Sequence, residues 1–296
     1  STSGTGVLIK NTDDWQNNYE AGGQAGNATF VSREAGTDGN NLQVSTCPSA
    51  TAYEQEGATT VNDSSTAVGD TVVVAASGAA LNVGDIISFS TTAATNDYDD
   101  GEQYQVTNIS TNDITIVQHP RGTGGLKRAL TDGCNIRRRW KYYDSVDGSP
   151  GTSAYVSARS GSNDEIHVVV VDEDGGISGV PGTVLETFSK LSKASDAKDP
   201  QGNDNYYPNV IYTKSQHIYW TKHNSSGSNW GNAASGTTFT AVNTPTLSSL
   251  SGGSNGSTVT TGQIKTAYDK FADSETVDIG LIIAGPCDAT HIENMI

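Results

Sequence analysis

The run Ile166-His167-Val168-Val169-Val170-Val171 constrains the fold of this chain more than any other feature. An extended segment that is apolar on both faces has to be covered on both, so it belongs in the interior of a sheet. The string Asp172-Glu173-Asp174-Gly175-Gly176 then ends it in a solvated polar turn. Just beyond, Thr183 and Glu186 have the spacing of a capping box, and Val184, Leu185, Phe188 and Leu191 fall on one stripe at helical spacing. They predict a helix over 184–194, laid on the sheet, with a cap worth about 1 kcal/mol.

Strands are expected at 42–45, 136–143, 155–158, 217–220 and 277–284. A second capping box, Thr260 with Gln263, starts a helix whose apolar stripe is Ile264, Ala267, Tyr268 and Phe271. Helix followed by strand, twice, suggests crossover units on a mixed sheet. The stretch from 51 to 134 reads differently. It has short β-rich runs at 71–75 and 86–89 and a hairpin over 104–117, with no helical period, which suggests a small SH3-like or OB-like barrel. The expected fold class is therefore α+β and β-rich. A mixed-sheet core with packed helices is built from 1–50 and 135–296, and 51–134 forms an inserted β-barrel domain. The Gly/Ser-rich tract over 224–257 reads as a long surface loop.

Size and charge narrow the function. A chain of 296 residues fits two domains and buries a sizeable core. A net charge of −16 disfavours nucleic-acid phosphate and anionic lipid as partners. No apolar run approaches the ~20 residues needed to span a bilayer, and no signal peptide is recognised at Ser1. Three cysteines, Cys47, Cys134 and Cys287, fit a reducing cytosol better than a disulfide scaffold. Cys47 and Cys134 flank the insert and are expected to lie near each other as reduced thiols.

Candidate chemistry is sparse. Gly252-Gly253-Ser254-Asn255-Gly256 matches G-x-S-x-G, but it lacks the strand before and the helix directly after that a nucleophile elbow needs. The acidic clusters 97–102 and 172–174 do not follow a calcium-loop pattern and read as solvated turns. His119, His167, His217, His223 and His291 show no metal-ligand spacing, and no C-x-x-C occurs. His167 and His217 read as hydrogen-bonded core histidines. No catalytic, cofactor-binding or metal-binding residue is assigned, and the chain is read as a non-enzyme with no cofactor. Tyr206, Tyr207, Tyr219 and Trp220 suit core or subunit packing better than a sugar-stacking face. In Arg137-Arg138-Arg139-Trp140-Lys141, strand alternation puts Arg137, Arg139 and Lys141 on one exposed face and Arg138 and Trp140 on the other. The insert carries eleven acids against three bases, so a neighbouring copy's acidic insert would complement that basic face.

The strings VVVVDEDGGISGVPGTVLETFSKLSKASDA, YYPNVI and SQHIYW, taken in order, resemble the contractile tail sheath protein of myovirus-type bacteriophages. So do VLIKNTDDW near the start, GNNLQVS, and FADSETVDIGLII. The resemblance covers most of the chain except about 50–135. It implies an internal fragment lacking an N-terminal arm and a C-terminal region, with the insert protruding from the tube. It further implies copies stacked as six-fold rings around a tail tube, contraction that drives the tube through the host envelope, and no reaction catalysed. The expected location is the virion tail, assembled in the bacterial cytoplasm. Neighbouring sheath subunits are the expected partners, with tube and baseplate engaged through the absent regions and the fragment alone monomeric. The alternative is a receptor- or carbohydrate-binding module of a phage surface protein, which requires a concave aromatic or polar pocket in an insert whose aromatics are Tyr53, Phe89, Tyr98 and Tyr104.

Overall fold

Asn11 opens the first helix, α1 (Thr12–Asn18), by accepting a hydrogen bond from the Asp14 amide, and Asp13 and Asp14 put negative charge at its positive end. Strands β1 (Phe30–Ser32) and β2 (Leu42–Cys47) follow, β2 being buried along its whole length. A helical turn, α2 (Ala50–Tyr53), leads into six strands: β3 (Glu54–Thr60), β4 (Val72–Val74), β5 (Ile86–Ala93), β6 (Tyr104–Ser110), β7 (Asp113–Gln118) and β8 (Cys134–Arg139). The chain continues through α3 (Ala154–Ser157), β9 (Glu165–Asp172), β10 (Thr183–Ser192), α4 (Tyr207–Lys214), β11 (Ile218–Trp220) and β12 (Thr246–Ser249). Helices α5 (Thr261–Tyr268) and α6 (Ala289–Glu293) come last. This computed structural model describes residues 7–20, 29–273, 275–283, 285 and 289–293. The chain divides into two compact units, Ser1–Gly253 and Ser254–Ile296.

The fold is mixed α+β and sheet-rich. Within the first unit, one sheet has the order β10-β9-β2-β12 and a second the order β3-β8-β5-β6-β7-β4, while β1 and β11 form a two-stranded ribbon. Every ladder in the three sheets is antiparallel. The crossover units expected from the helix–strand order are therefore replaced by antiparallel pairing. The apolar run behaves as its composition requires. β9 is central, between β10 and β2, and its side chains alternate between two cores. Ile166, Val168 and Val170 enter one with Phe30, Leu42, Tyr207, Ile211 and Trp220, and Val169 and Val171 enter another with Cys47, Ala52, Trp140 and Tyr142. Each of these valines contributes about 1.5–3 kcal/mol of apolar burial.

Several local readings are overturned. The expected helix over 184–194 is strand β10, which pairs with β9 from Thr183↔Asp172 to Ser192↔Glu165. The expected strand over 155–158 is the helical turn α3, capped by Ser153, whose hydroxyl accepts from the Val156 amide. The 136–143 strand is found as β8, but it belongs to the six-stranded sheet and not to the central one. No strand forms over 277–283, and Ala284 lies outside the described residues. The 224–257 tract is not a mere surface loop, because Trp230, Ala234 and Phe239 are buried in the main core and β12 edges the central sheet.

The insert has its own core of Val61, Val73, Ile87, Phe89, Tyr104, Ile114, Ile136 and their neighbours. The described strands do not make the expected closed barrel. A single antiparallel bridge, Val61↔Ala75, brings the ends of the two outer strands β3 and β4 together, with hydrogen bonds from Asn62 N to Val74 O and from Ala76 N to Thr60 O.

In the second unit the Thr260–Gln263 capping box forms as expected at the start of α5. The apolar stripe stays out of any core, since α5 has no buried residue and Phe271, Leu281 and Ile283 are exposed. All members of the four hydrophobic clusters lie between Val7 and Leu250. A chain ending at Gly253 is therefore expected to unfold cooperatively with a Tm within about 4 °C of the 296-residue chain, corresponding to about 1 kcal/mol. A drop of more than 10 °C in differential scanning calorimetry would show that residues 254–296 contribute to the core after all.

Candidate functional site

A concave feature of the first unit is a cavity of about 310 Å³, walled by Trp15, Tyr206, Trp220, His223 and Trp230 and rimmed by Glu20, Asn209 and Asn232. Four segments build it. Trp15 projects from α1, is stacked on Tyr212 (centroids 4.5 Å, 11°) and Tyr219 (5.4 Å, 16°), and donates its indole N–H to Trp220 O at 2.9 Å. β11 supplies Trp220, and α4 supplies Asn209 just after Tyr206. The loop after β11 supplies His223, Trp230 and Asn232. Pro208 sits in the first turn of α4, where its fixed φ and missing N–H cost nothing.

A short relay fixes the rings. Trp220 Nε1 donates to Tyr207 Oη at 3.0 Å, which leaves that hydroxyl to donate to His223 Nδ1 at 2.6 Å. His223 Nδ1 is then an acceptor and Nε2 carries the proton, directed at Tyr206 Oη 3.3 Å away. Burial pushes the His223 pKa down to about 4, so the ring is neutral near pH 7. Gly231, at φ +89°, has to lack a side chain, because a Cβ there would meet His223 Nε2 at 2.6 Å. Trp230 is held from behind by Lys193, whose ammonium lies 5.0 Å from the ring centroid and donates to Pro48 O (2.7 Å) and Asn163 O (2.8 Å). Burial lowers the Lys193 pKa to about 8. With both nitrogens of His223 engaged by tyrosine hydroxyls, the cavity offers shape and hydrogen-bond acceptors, not an activated nucleophile with its base.

The residues singled out in the sequence are dispersed. Ser254 stands in an irregular exposed stretch with no preceding strand, and α5 starts only at Thr261. Asp172 is buried, not solvated. Its Oδ2 accepts from Ser178 N and Oγ and from Ile177 N, and so shapes the turn after β9. In the 97–102 cluster, Asp99 accepts from the Gly101 amide, Asp100 pairs with Arg137 and Arg139, and Glu102 pairs with Arg128 at 2.9 Å. Among the described residues no group of three or more His, Cys, Asp or Glu side chains converges as a metal site. No described helix is long and apolar enough to cross a membrane.

The basic cluster alternates as the strand period demands but is not an exposed face. Arg137 and Arg138 are buried, and β8 lies between β3 and β5. Arg137 and Arg139 meet Glu54, Glu56 and Asp100 of the same chain. The hydrogen bond from Arg137 holds the Asp100 carboxyl below its usual range. The acidic insert thus pairs with Arg137 and Arg139 within the same chain. His167 is a core histidine as expected, with Nε2 on Gly148 O (3.0 Å) and Nδ1 accepting from Lys190 N (2.9 Å). Cys47 and Cys134 are both buried free thiols, in different clusters, and burial raises the Cys47 pKa to about 12. Cys287 lies outside the described residues.

The insert's four aromatics are engaged in packing. Phe89 and Tyr104 are core, Tyr98 lies under Arg137, and Tyr53 donates to Tyr143 O. The aromatic cavity lies elsewhere, and of its walls only Tyr206 and Trp220 stood out in the sequence. Trp15, His223 and Trp230 were missed. The available signal was that three of the chain's four tryptophans line one cavity, yet more than 200 positions separate the first from the last. No family model matches the chain, and no curated protein matches it.

Proposed function

We propose that this chain is part of a structural subunit of a contractile tail sheath of the myovirus type, a building block that works by re-docking against neighbouring copies and performs no reaction. The observation that carries this reading is where the resembling strings fall. VLIKNTDDW, GNNLQVS, the VVVV and TVLETF strings, YYPNVI and SQHIYW fold into α1, β2, β9, β10, α4 and β11, which pack together around the central sheet and its ribbon. The 51–134 stretch carries no resemblance and, together with β8, builds a sheet with a separate core. All of the resembling strings but FADSETVDIGLII, which lies in the second unit, therefore fall in one packed body. In such an assembly the extended lattice is metastable, and the energy resides in subunit contacts that improve on contraction. Rigid bodies of this kind, densely hydrogen-bonded and with both faces of the central strand covered, suit re-docking without internal rearrangement.

Electron microscopy of the protein together with whatever sequence flanks residues 1–296 tests the reading. Hollow cylinders of stacked six-fold rings are expected at high protein concentration. Dispersed particles alone, across a range of salt concentrations, would overturn it.

A further inference from the structure

The string Gly252-Gly253-Ser254-Asn255-Gly256 does hold a reactive group, and it is not Ser254. We propose that the Asn255–Gly256 peptide is a site of spontaneous covalent modification, at which the side-chain amide is lost and an aspartyl or isoaspartyl residue takes its place. In the reaction the Gly256 amide nitrogen attacks Asn255 Cγ. The new Cγ–N bond closes a five-membered succinimide as the Cγ–Nδ2 bond breaks, and Nδ2 departs as ammonia, taking the amide proton. Water then opens the ring. Addition at Cγ leaves aspartate. Addition at the Asn255 backbone carbonyl leaves isoaspartate, whose main chain runs through the side chain. Only water is consumed, and no oxidant or reductant takes part.

Three observations place the reaction here. Asn255–Gly256 is the only Asn–Gly step in the 296 residues, and glycine obstructs ring closure least, having no Cβ and wide φ/ψ freedom. Second, the attacking nitrogen is unengaged and its surroundings are open. Asn40 holds Gly253 at both its N–H and its carbonyl, and Thr260 caps α5, but no regular element forms between them and the residues there are exposed. Among the described residues nothing accepts from the Gly256 amide. A Cβ added at Gly256 would meet no atom within 4 Å, so the backbone has room to bring Cγ onto the nitrogen. Third, the five Asp–Gly steps, which can form the same ring, are held away from it. The amides of Gly101, Gly133, Gly148 and Gly175 each donate to an oxygen of the fold, and Gly39 lies in a tight helical turn packed against Ser32. Asn255 is the second residue of the second unit. Its modification adds a negative charge to a chain already at −16, and the isoaspartyl form lengthens the main chain by one carbon.

Peptide mapping by mass spectrometry on the whole folded chain, aged at pH 8, tests this. The peptide carrying Asn255 is expected to convert before any other, into aspartyl and isoaspartyl forms. The isoaspartyl form should accept a methyl group from S-adenosylmethionine when an isoaspartyl methyltransferase is added as the probe. Gly256→Ala should slow the conversion about tenfold, because its methyl group crowds the attack and narrows the backbone. Ageing in denaturing urea isolates the structural part of the claim. The rate at Asn255 should change less than about twofold, whereas isomerisation at the five Asp–Gly steps should speed up about tenfold or more once their amides are released. Conversion at Asn255 no faster than at the other asparagines overturns the proposal. So does a wild-type rate in Gly256→Ala, or a rate at Asn255 that rises in urea as steeply as at the Asp–Gly steps. The sheath reading is untouched by these outcomes, because cylinder formation is scored separately.

Discussion

Replacing Arg138 with alanine should lower the unfolding free energy by about 3–5 kcal/mol, through the cavity left by a fully buried side chain and three oxygen acceptors deprived of their donor. Arg138 is fully buried in β8, and its Nη2 donates to Thr51 O, Gln55 Oε1 and Asn243 O. Asp85, 2 % exposed, accepts from the Asn82 amide and feels the Arg138 charge without pairing with it directly. Burial raises the Asp85 pKa to about 6, against the opposing pull of the Arg138 charge. Without Arg138 the carboxylate has no such counter-charge and its pKa climbs further. The cost of Arg138→Ala is therefore larger at pH 8, where Asp85 is ionised, than at pH 5, where it is mostly protonated. Arg138→Met combined with Asp85→Asn removes both charges while keeping volume, and should recover most of the loss. Urea denaturation of the three proteins at the two pH values reads this directly. A cost below 1 kcal/mol, or one equal at both pH values, would refute the assignment.

Acid should destabilise the fold through two buried histidines before carboxylates of ordinary pKa titrate. His167 and His223 both have pKa values lowered to about 4 from 6.5, by burial first in each case. A histidine depressed in the folded state binds its proton more readily when unfolded, so its contribution is complete above pH 6.5 and is lost as pH falls toward 4. The geometry gives the reason. Protonating His167 Nδ1 evicts the Lys190 amide, and protonating His223 Nδ1 evicts the Tyr207 hydroxyl. Each histidine accounts for about 3 kcal/mol across this window, and the raised Asp85 offsets about 3 kcal/mol by gaining stability as it protonates below pH 6. The net expected loss is about 3–4 kcal/mol between pH 6.5 and pH 4. His223→Gln should flatten the pH profile by about half of the histidine part even if it destabilises at pH 7. A stability profile that is level from pH 7 to 4.5 would contradict both assignments.

What was legible in the sequence was what local chemistry or unbroken pattern decides. Four consecutive valines announced a central strand covered on both faces, and that is what β9 is. Thr260 and Gln263 need only each other to cap α5, and they do. β10 shows the opposite case. Its apolar residues fall at helical spacing because the strand slips register against β9 between Val184 and Glu186 and again between Phe188 and Leu191. Lys190 takes a φ of +51° within the second irregularity. Two such breaks erase the period of two, and the Thr183–Glu186 pattern then imitates a capping box. Pairing with β9 overrode that local preference. The face assignment of Arg137 and Arg139 was readable from alternation, but their burial was not, because Glu54 and Glu56 arrive from β3 and Asp100 from the turn before β6. The cavity was least legible, since its walls join α1, α4, β11 and a following loop.

The chain leaves the central sheet at the end of β2 and re-enters it at β9, the strand beside it, with Cys47 opposite His167. The six-stranded sheet between them is an excursion, tied back where Trp140 donates to Ser45 Oγ at 2.8 Å and Arg138 reaches Asn243 O. A lineage of such chains has latitude on one side of that seam only. The excursion is free to be lengthened, decorated or recharged without retuning the frame it departs from, so long as the few side chains stitching the two together are retained.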